Sequence, residues 1–265
     1  MALDVFVAEP TTRPVGPPLL FVHGAWHGSW CWTENFTGFF SDQGYTSYAV
    51  DLSGHGNSEG NLARTLLSRY VSDVRRVALA LDDEPVIIGH SMGGLVTQKY
   101  LARYGAAAGV LMASVPTRGA IGATLRIVRN HPMAFVRVNA TFNLGPIVDD
   151  PARATDLLFG PDMAPKTATM FARRLQDESY LAYLEMIFDL PRPSLVHDPV
   201  LVLGAAEDQI FSVPEVAATA RAYGSGATIF PRMGHDMMLE PGWRGPAQKI
   251  LDWIESGYVL RVDRQ

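Results

Sequence analysis

Apolar positions along the chain gather into short, continuous runs divided by polar stretches rich in glycine and proline. Leu3 to Ala8, Leu19 to Val22, Tyr45 to Val50, Val86 to Ile88, Gly109 to Ser114, Pro199 to Gly204 and Ala227 to Phe230 are such runs. Their apolar, often β-branched character suits strands of a parallel sheet buried on both faces. Between them the spacing turns helical, over about Trp32 to Asp42, Leu66 to Leu81, Gly94 to Leu101, Pro214 to Tyr223 and Gly245 to Glu255. Val71, Val74 and Ala78 fall on one stripe. The alternation predicts an α/β fold of about seven mostly parallel strands flanked by helices.

The alternation fails from Thr117 to Leu195. No strand pattern occurs there, while Lys166 to Leu175 and Ser179 to Phe188 read as helices among the breaks Gly145-Pro146, Asp150-Pro151 and Gly160-Pro161. The expected organisation is therefore a core of residues 1–116 and 196–265 with a helical insertion over 117–195. Methionine and phenylalanine crowd the insertion, which predicts that part of it lines an apolar space above the sheet.

Composition narrows the function classes. Of the 265 residues 48% are hydrophobic and 18% charged, as in ordinary globular proteins. The net charge of −5, from 22 basic and 27 acidic residues without long runs of one sign, gives no footprint for nucleic acid or an anionic membrane. Cys31 is the single cysteine, so no intrachain disulfide or cysteine metal cluster can form. The N-terminus lacks a basic region and no window holds the ~18 apolar residues of a membrane helix. These features predict a cytoplasmic protein, monomeric or homodimeric, acting on small molecules.

The chemistry centres on Gly89-His90-Ser91-Met92-Gly93-Gly94, where the buried run ending at Ile88 turns directly into a helix. A strand-to-helix turn of this kind forces the serine into a strained conformation, and the flanking glycines relieve the crowding. The Ser91 hydroxyl is left exposed as a candidate nucleophile. The Met92 amide at the helix start, together with the Ala25 amide in the loop His23-Gly24-Ala25-Trp26-His27-Gly28, can face a developing oxyanion.

A serine hydroxyl needs a base, and the base needs an acid to orient it. His235 follows the last strand and Asp208 the one before it, both on the edge that carries Ser91. Glu207 competes with Asp208 for the acid role.

These motifs resemble the α/β-hydrolase superfamily of serine hydrolases along the whole chain. The elbow around Ser91, the His23-Gly24-Ala25-Trp26 loop, the Asp51-Leu52-Ser53-Gly54-His55-Gly56-Asn57-Ser58 loop, and the order Ser91, Asp208, His235 all carry the resemblance. It implies that Asp208 is the acid, that 117–195 is a cap, and that the oxyanion hole is Ala25 and Met92. The loop from His23 to Trp32 is particularly similar to plant methylesterases and hydroxynitrile lyases. A single N-terminal strand stands where the superfamily usually has a hairpin.

The expected reaction is hydrolysis of a carboxylic ester of a small, largely apolar substrate, with thioester, lactone or carbon–carbon cleavage and a slow-hydrolysing receptor as alternatives. Trp26, His27, Phe142, Phe159 and Met186 are the candidate pocket residues. His23 is expected to brace its loop, His55 to belong to a turn, His90 to pack beside the elbow and Asp236 to face outward. No cofactor and no metal are expected, because the histidines show no ligand spacing.

Overall fold

The computed structural model describes residues 2–258. Residues 259–265, the end of the expected core unit, lie outside the described residues, as does Met1. Seven strands form one sheet: β1 (Val5–Ala8), β2 (Leu19–Val22), β3 (Ser47–Val50), β4 (Val86–His90), β5 (Ala108–Met112), β6 (Val200–Ala205) and β7 (Ala227–Phe230). Their order is β1-β3-β2-β4-β5-β6-β7, and only β1, paired with β3, is antiparallel.

Burial follows the sequence pattern. Every residue of β2, β4, β5 and β6 is buried, whereas the edge strand β1 is partly exposed. Before β4 lie α1 (Trp30–Thr33), α2 (Phe36–Asp42) and α3 (Leu67–Ala78). The helix expected from Trp32 to Asp42 is thus two helices, broken around Glu34 and Asn35. The stripe on α3 is as expected, with Val71, Val74 and Ala78 all buried. Phe21 of β2 packs against Trp32, Phe36 and Phe40 at ring centroid distances of 5.1, 6.3 and 5.8 Å, fixing α1 and α2 against the sheet.

The nucleophile turn leads into α4 (Met92–Tyr104). Between β5 and β6 come α5 (Ile121–Asn130), α6 (Pro132–Thr141), α7 (Pro151–Leu158), α8 (Pro165–Ala172) and α9 (Tyr180–Phe188). Within that segment the only strand-like feature among the described residues is an isolated bridge between Asn143 and Ser179. The chain then completes α10 (Val213–Ala222), between β6 and β7, and α11 (Arg244–Trp253).

Polar contacts seat the helical segment on the sheet. Buried Glu178 accepts hydrogen bonds from Tyr70 Oη (2.7 Å) and His55 Nε2 (3.0 Å), and Gln176 bridges Gly56 N–H and the Gly54 carbonyl. Glu240 accepts from the amides of Gly160 and Gly234, tying the same segment to the loop before α11. Among the described residues no helix is long and apolar enough to cross a membrane.

Candidate active site

The sheet order places a switch point between β2 and β4, where the chain leaves β2 for β3 on one side and returns to β4 on the other. Open α/β sheets form their sites beyond the strand C-termini at such a point. Here the loops after β2, β4, β6 and β7 supply Ala25, Ser91, Asp208 and His235.

Ser91 has φ 51° and ψ −116°, a strained conformation for a residue with a side chain. The turn is tight enough that a Cβ on Gly89 would lie 2.3 Å from the Gly93 carbonyl oxygen, and one on Gly93 2.3 Å from the Val22 carbonyl oxygen. Both glycines are therefore required by close backbone approach. As the first residue of α4, Met92 has no intrahelical carbonyl for its amide, which is available to an incoming anion.

The loop after β2 abuts the serine. A Cβ on Gly24 would stand 2.9 Å from Ser91 Cβ and 2.8 Å from His90 Nδ1. His23 braces this loop as expected: Nδ1–H donates to the Gly24 carbonyl (2.8 Å) and Nε2 accepts from Leu52 N–H (3.1 Å). Those partners set its neutral tautomer, and burial lowers its pKa well below the usual value. Because Gly24 C=O and Ala25 N–H share one peptide plane, holding the carbonyl also aims the amide.

Asp208 and His235 meet as the sequence suggests. His235 Nδ1–H donates to Asp208 Oδ2 at 2.9 Å, while Asp208 Oδ1 accepts from the amides of Ile210 (2.7 Å) and Phe211 (2.9 Å). Both side chains are buried, whereas Glu207 is exposed. His235 Nε2 is buried without a hydrogen-bond partner among the described residues, so the nitrogen away from Asp208 is the basic one. Burial pulls the His235 pKa down, but the charge and hydrogen bond of Asp208, with a further contribution from Asp236, outweigh it and raise the pKa above the usual value. The imidazole lies 4.7 Å from the ring of His90, the neighbour of Ser91, and 5.6 Å from that of Phe211.

A narrow, partly open cavity of about 50 Å³ adjoins Ser91. Ala25 and Trp26 from the β2 loop, Ala123 and Ile127 of α5, Met186 of α9 and Phe211 are among its apolar walls. Larger surface hollows, one of about 550 Å³ beside Ser53 and Arg69, contain none of Ser91, Asp208 and His235.

The pocket expectations divide. Trp26 and Met186 line the cavity, and Trp26 also bonds the helical segment, through Nε1–H to the Leu144 carbonyl (3.2 Å) and its own carbonyl to Gln176 N–H (2.9 Å). Phe142 does not line it: it ends α6 in a left-handed conformation, 67% exposed, with its ring edge-on to Tyr180. Phe159 is buried against Phe171, which stacks on Trp30, and stands outside the cavity. His27 is also outside it, and Asp236 corrects a further expectation. Rather than facing outward, Asp236 is fully buried and accepts from His27 Nε2 at 3.1 Å, because its amide is bound to the Leu158 carbonyl and the carboxylate turns inward.

His90, His235 and Asp236 bring one nitrogen or oxygen each within 4.8 Å. His90 Nε2 is bonded to the His235 carbonyl (3.0 Å) and His235 Nδ1 to Asp208, while His90 Nδ1, His235 Nε2 and Asp236 Oδ1 are buried with no hydrogen-bond partner among the described residues. We read the group as the polar floor beneath Ser91.

A sequence model described as "Alpha/beta hydrolase family" matches residues 19–243, from β2 to the residue before α11. The chain belongs to the alpha/beta hydrolase family. Among curated relatives this family member is 27% identical over 251 residues to methylesterase 10 of Arabidopsis thaliana, covering 90% of this chain and 79% of that protein. It is 25% identical over 241 residues to a non-heme haloperoxidase of Rhodococcus erythropolis, covering 84% and 86%. In three dimensions it is similar to a thermophilic esterase from Thermogutta terrifontis, with a TM-score of 0.74 at 21% identity over 97% of this chain and 94% of that one. At that identity the likeness speaks for the fold.

Proposed function

We propose that this hydrolase cleaves carboxylic esters with a small apolar acyl group, through an acyl-enzyme intermediate on Ser91. The observation that carries the reading is the strained Ser91, opening on a narrow apolar cavity, beside a buried His235–Asp208 pair whose second imidazole nitrogen has no hydrogen-bond partner among the described residues. His235 Nε2 takes the hydroxyl proton as Ser91 Oγ attacks the acyl carbon. The Ala25 and Met92 amides receive the oxyanion, a contribution typically worth about 3–4 kcal/mol per donor. Collapse of the tetrahedral intermediate expels the alcohol, which takes the proton from His235. Water then attacks the acyl group with the same imidazole as base, releasing the acid and restoring Ser91.

Size sets the acyl preference. A cavity of about 50 Å³ accommodates roughly three or four water-sized groups, as in an acetyl or propionyl chain. The helical segment 117–195 acts as a cap over it, with α5 and α9 forming walls. A cytoplasmic location belongs to the same proposal, and the lone, buried Cys31 is compatible with it.

A panel of p-nitrophenyl esters of increasing acyl length tests the reading. Acetate and propionate should turn over with a kcat/KM that falls steeply by octanoate, and Ser91→Ala should abolish turnover. Equal rates for wild type and Ser91→Ala would refute the nucleophile. Tight ligand binding with no turnover of any ester would make the site a receptor.

A further inference from the structure

His27 and Asp236 are 209 positions apart and meet behind the proposed oxyanion loop. His27 Nε2 is 3.1 Å from Asp236 Oδ2, and Nδ1 is 2.8 Å from the Ala25 carbonyl oxygen. A carbonyl only accepts, and so does an ionised carboxylate. A neutral imidazole has one N–H, so it can satisfy one of these contacts. Both together require a second proton on the ring. Asp236 does not supply it: burial disfavours its charge, but the neighbouring His27, His90 and His235 hold its pKa below the usual value. Both side chains are almost wholly buried, where a lone charge would be costly and a hydrogen-bonded pair is the stable arrangement.

We propose that His27 and Asp236 form a buried imidazolium–carboxylate pair that positions the Ala25 amide, coupling the oxyanion loop to the loop that carries His235. His23 and the backbone N–H of His27 hold the Gly24 carbonyl, at 2.8 and 3.4 Å, and so fix the peptide that presents Ala25 N–H. The His27 ring holds the next carbonyl. The two peptide planes on either side of Ala25 Cα are thereby fixed, and Asp236 anchors the ring that does half of this. These are positioning residues, and their role rests on the ester-hydrolase reading.

The pair also sets the field at the base. Asp236 faces His90, whose Nε2 is 3.8 Å from Oδ1, and acts on His235 and on the Cys31 thiol. The Trp30 ring lies tilted against that of His27, 5.4 Å between centroids, and carries the Arg174 guanidinium on its face, while Asp208 bonds His235. Removing the cation leaves the Asp236 charge uncompensated beside His235; removing the carboxylate does the reverse.

Two measurements on the full chain test this. In ¹⁵N-histidine-labelled protein at neutral pH, both ring nitrogens of His27 should carry protons, assigned by their disappearance in His27→Gln. A bare nitrogen on His27 overturns the pair. In ester hydrolysis, His27→Gln and Asp236→Asn should each lower kcat by roughly tenfold or more, with KM little changed. The acidic limb should move to higher pH in His27→Gln and to lower pH in Asp236→Asn. Limbs that stay in place, or move together, overturn the coupling. The proton count does not depend on turnover, so a chain with both protons that hydrolyses no ester would refute the esterase reading and leave the pair standing.

Discussion

Asp208→Asn is the substitution whose outcome the geometry dictates most closely. Asp208 Oδ1 accepts from two backbone amides, at 2.7 and 2.9 Å, and Oδ2 accepts from His235 Nδ1–H at 2.9 Å. An asparagine must keep its oxygen on the two amides, since the opposite flip would leave buried donors facing donors at about 1–3 kcal/mol each. Its NH2 then faces His235 Nδ1. That nitrogen becomes an acceptor, the ring proton moves to Nε2, and the base can no longer take a proton from Ser91. The loss typical of a wrong tautomer is about 10⁴-fold in kcat, or ~5.5 kcal/mol at ~1.36 kcal/mol per tenfold. Because the turn keeps both amide bonds, the fold should persist. Initial rates on p-nitrophenyl acetate, with a thermal melt of the same sample, make the comparison. A kcat within tenfold of wild type at unchanged Tm would refute Asp208 as the orienting acid.

The pH dependence should carry the sign of the His235 environment. Its raised pKa places the acidic limb of kcat/KM above the ordinary ~6.5 of a histidine, with activity rising as the imidazolium loses its proton; a limb below that value contradicts the balance of charges described. The stability contributed by the same pairing is complete below the unfolded value and is lost as pH rises through the folded one, which pH-dependent melts would detect. Met186→Ala removes a cavity wall and should relax the acyl preference, raising octanoate relative to acetate severalfold in the p-nitrophenyl panel; an unchanged ratio would place the acyl group elsewhere. Dialysis against EDTA should leave ester hydrolysis intact, and loss restored by zinc or manganese would show that a metal takes part.

Much of the fold was legible because the information is local. Continuous apolar runs mark β2, β4, β5 and β6, and the elbow at Ser91 is a strand, a turn and a helix within ten residues. Asp208 and His235 were legible for a related reason: each immediately follows a strand, so topology alone carries it to the shared edge. The antiparallel β1 follows from its pairing with β3, a contact between distant segments. The misplaced expectations depend on such contacts too. Phe142 and Phe159 resemble any apolar residue of the helical segment 117–195, and only the packing of α6 against Tyr180 and of α7 against α8 decides which faces Ser91. Asp236 looked like a solvent-facing residue after the base, because its partner His27 lies in a loop at the other end of the chain.

The central claim is that Ser91 is the nucleophile, and covalent trapping addresses it most directly. Intact-mass and peptide analysis after treatment with a fluorophosphonate should show one adduct, on the peptide bearing Ser91, absent from Ser91→Ala and formed much more slowly in Asp208→Asn. An unlabelled wild-type protein, or an adduct that persists in Ser91→Ala, would contradict the account.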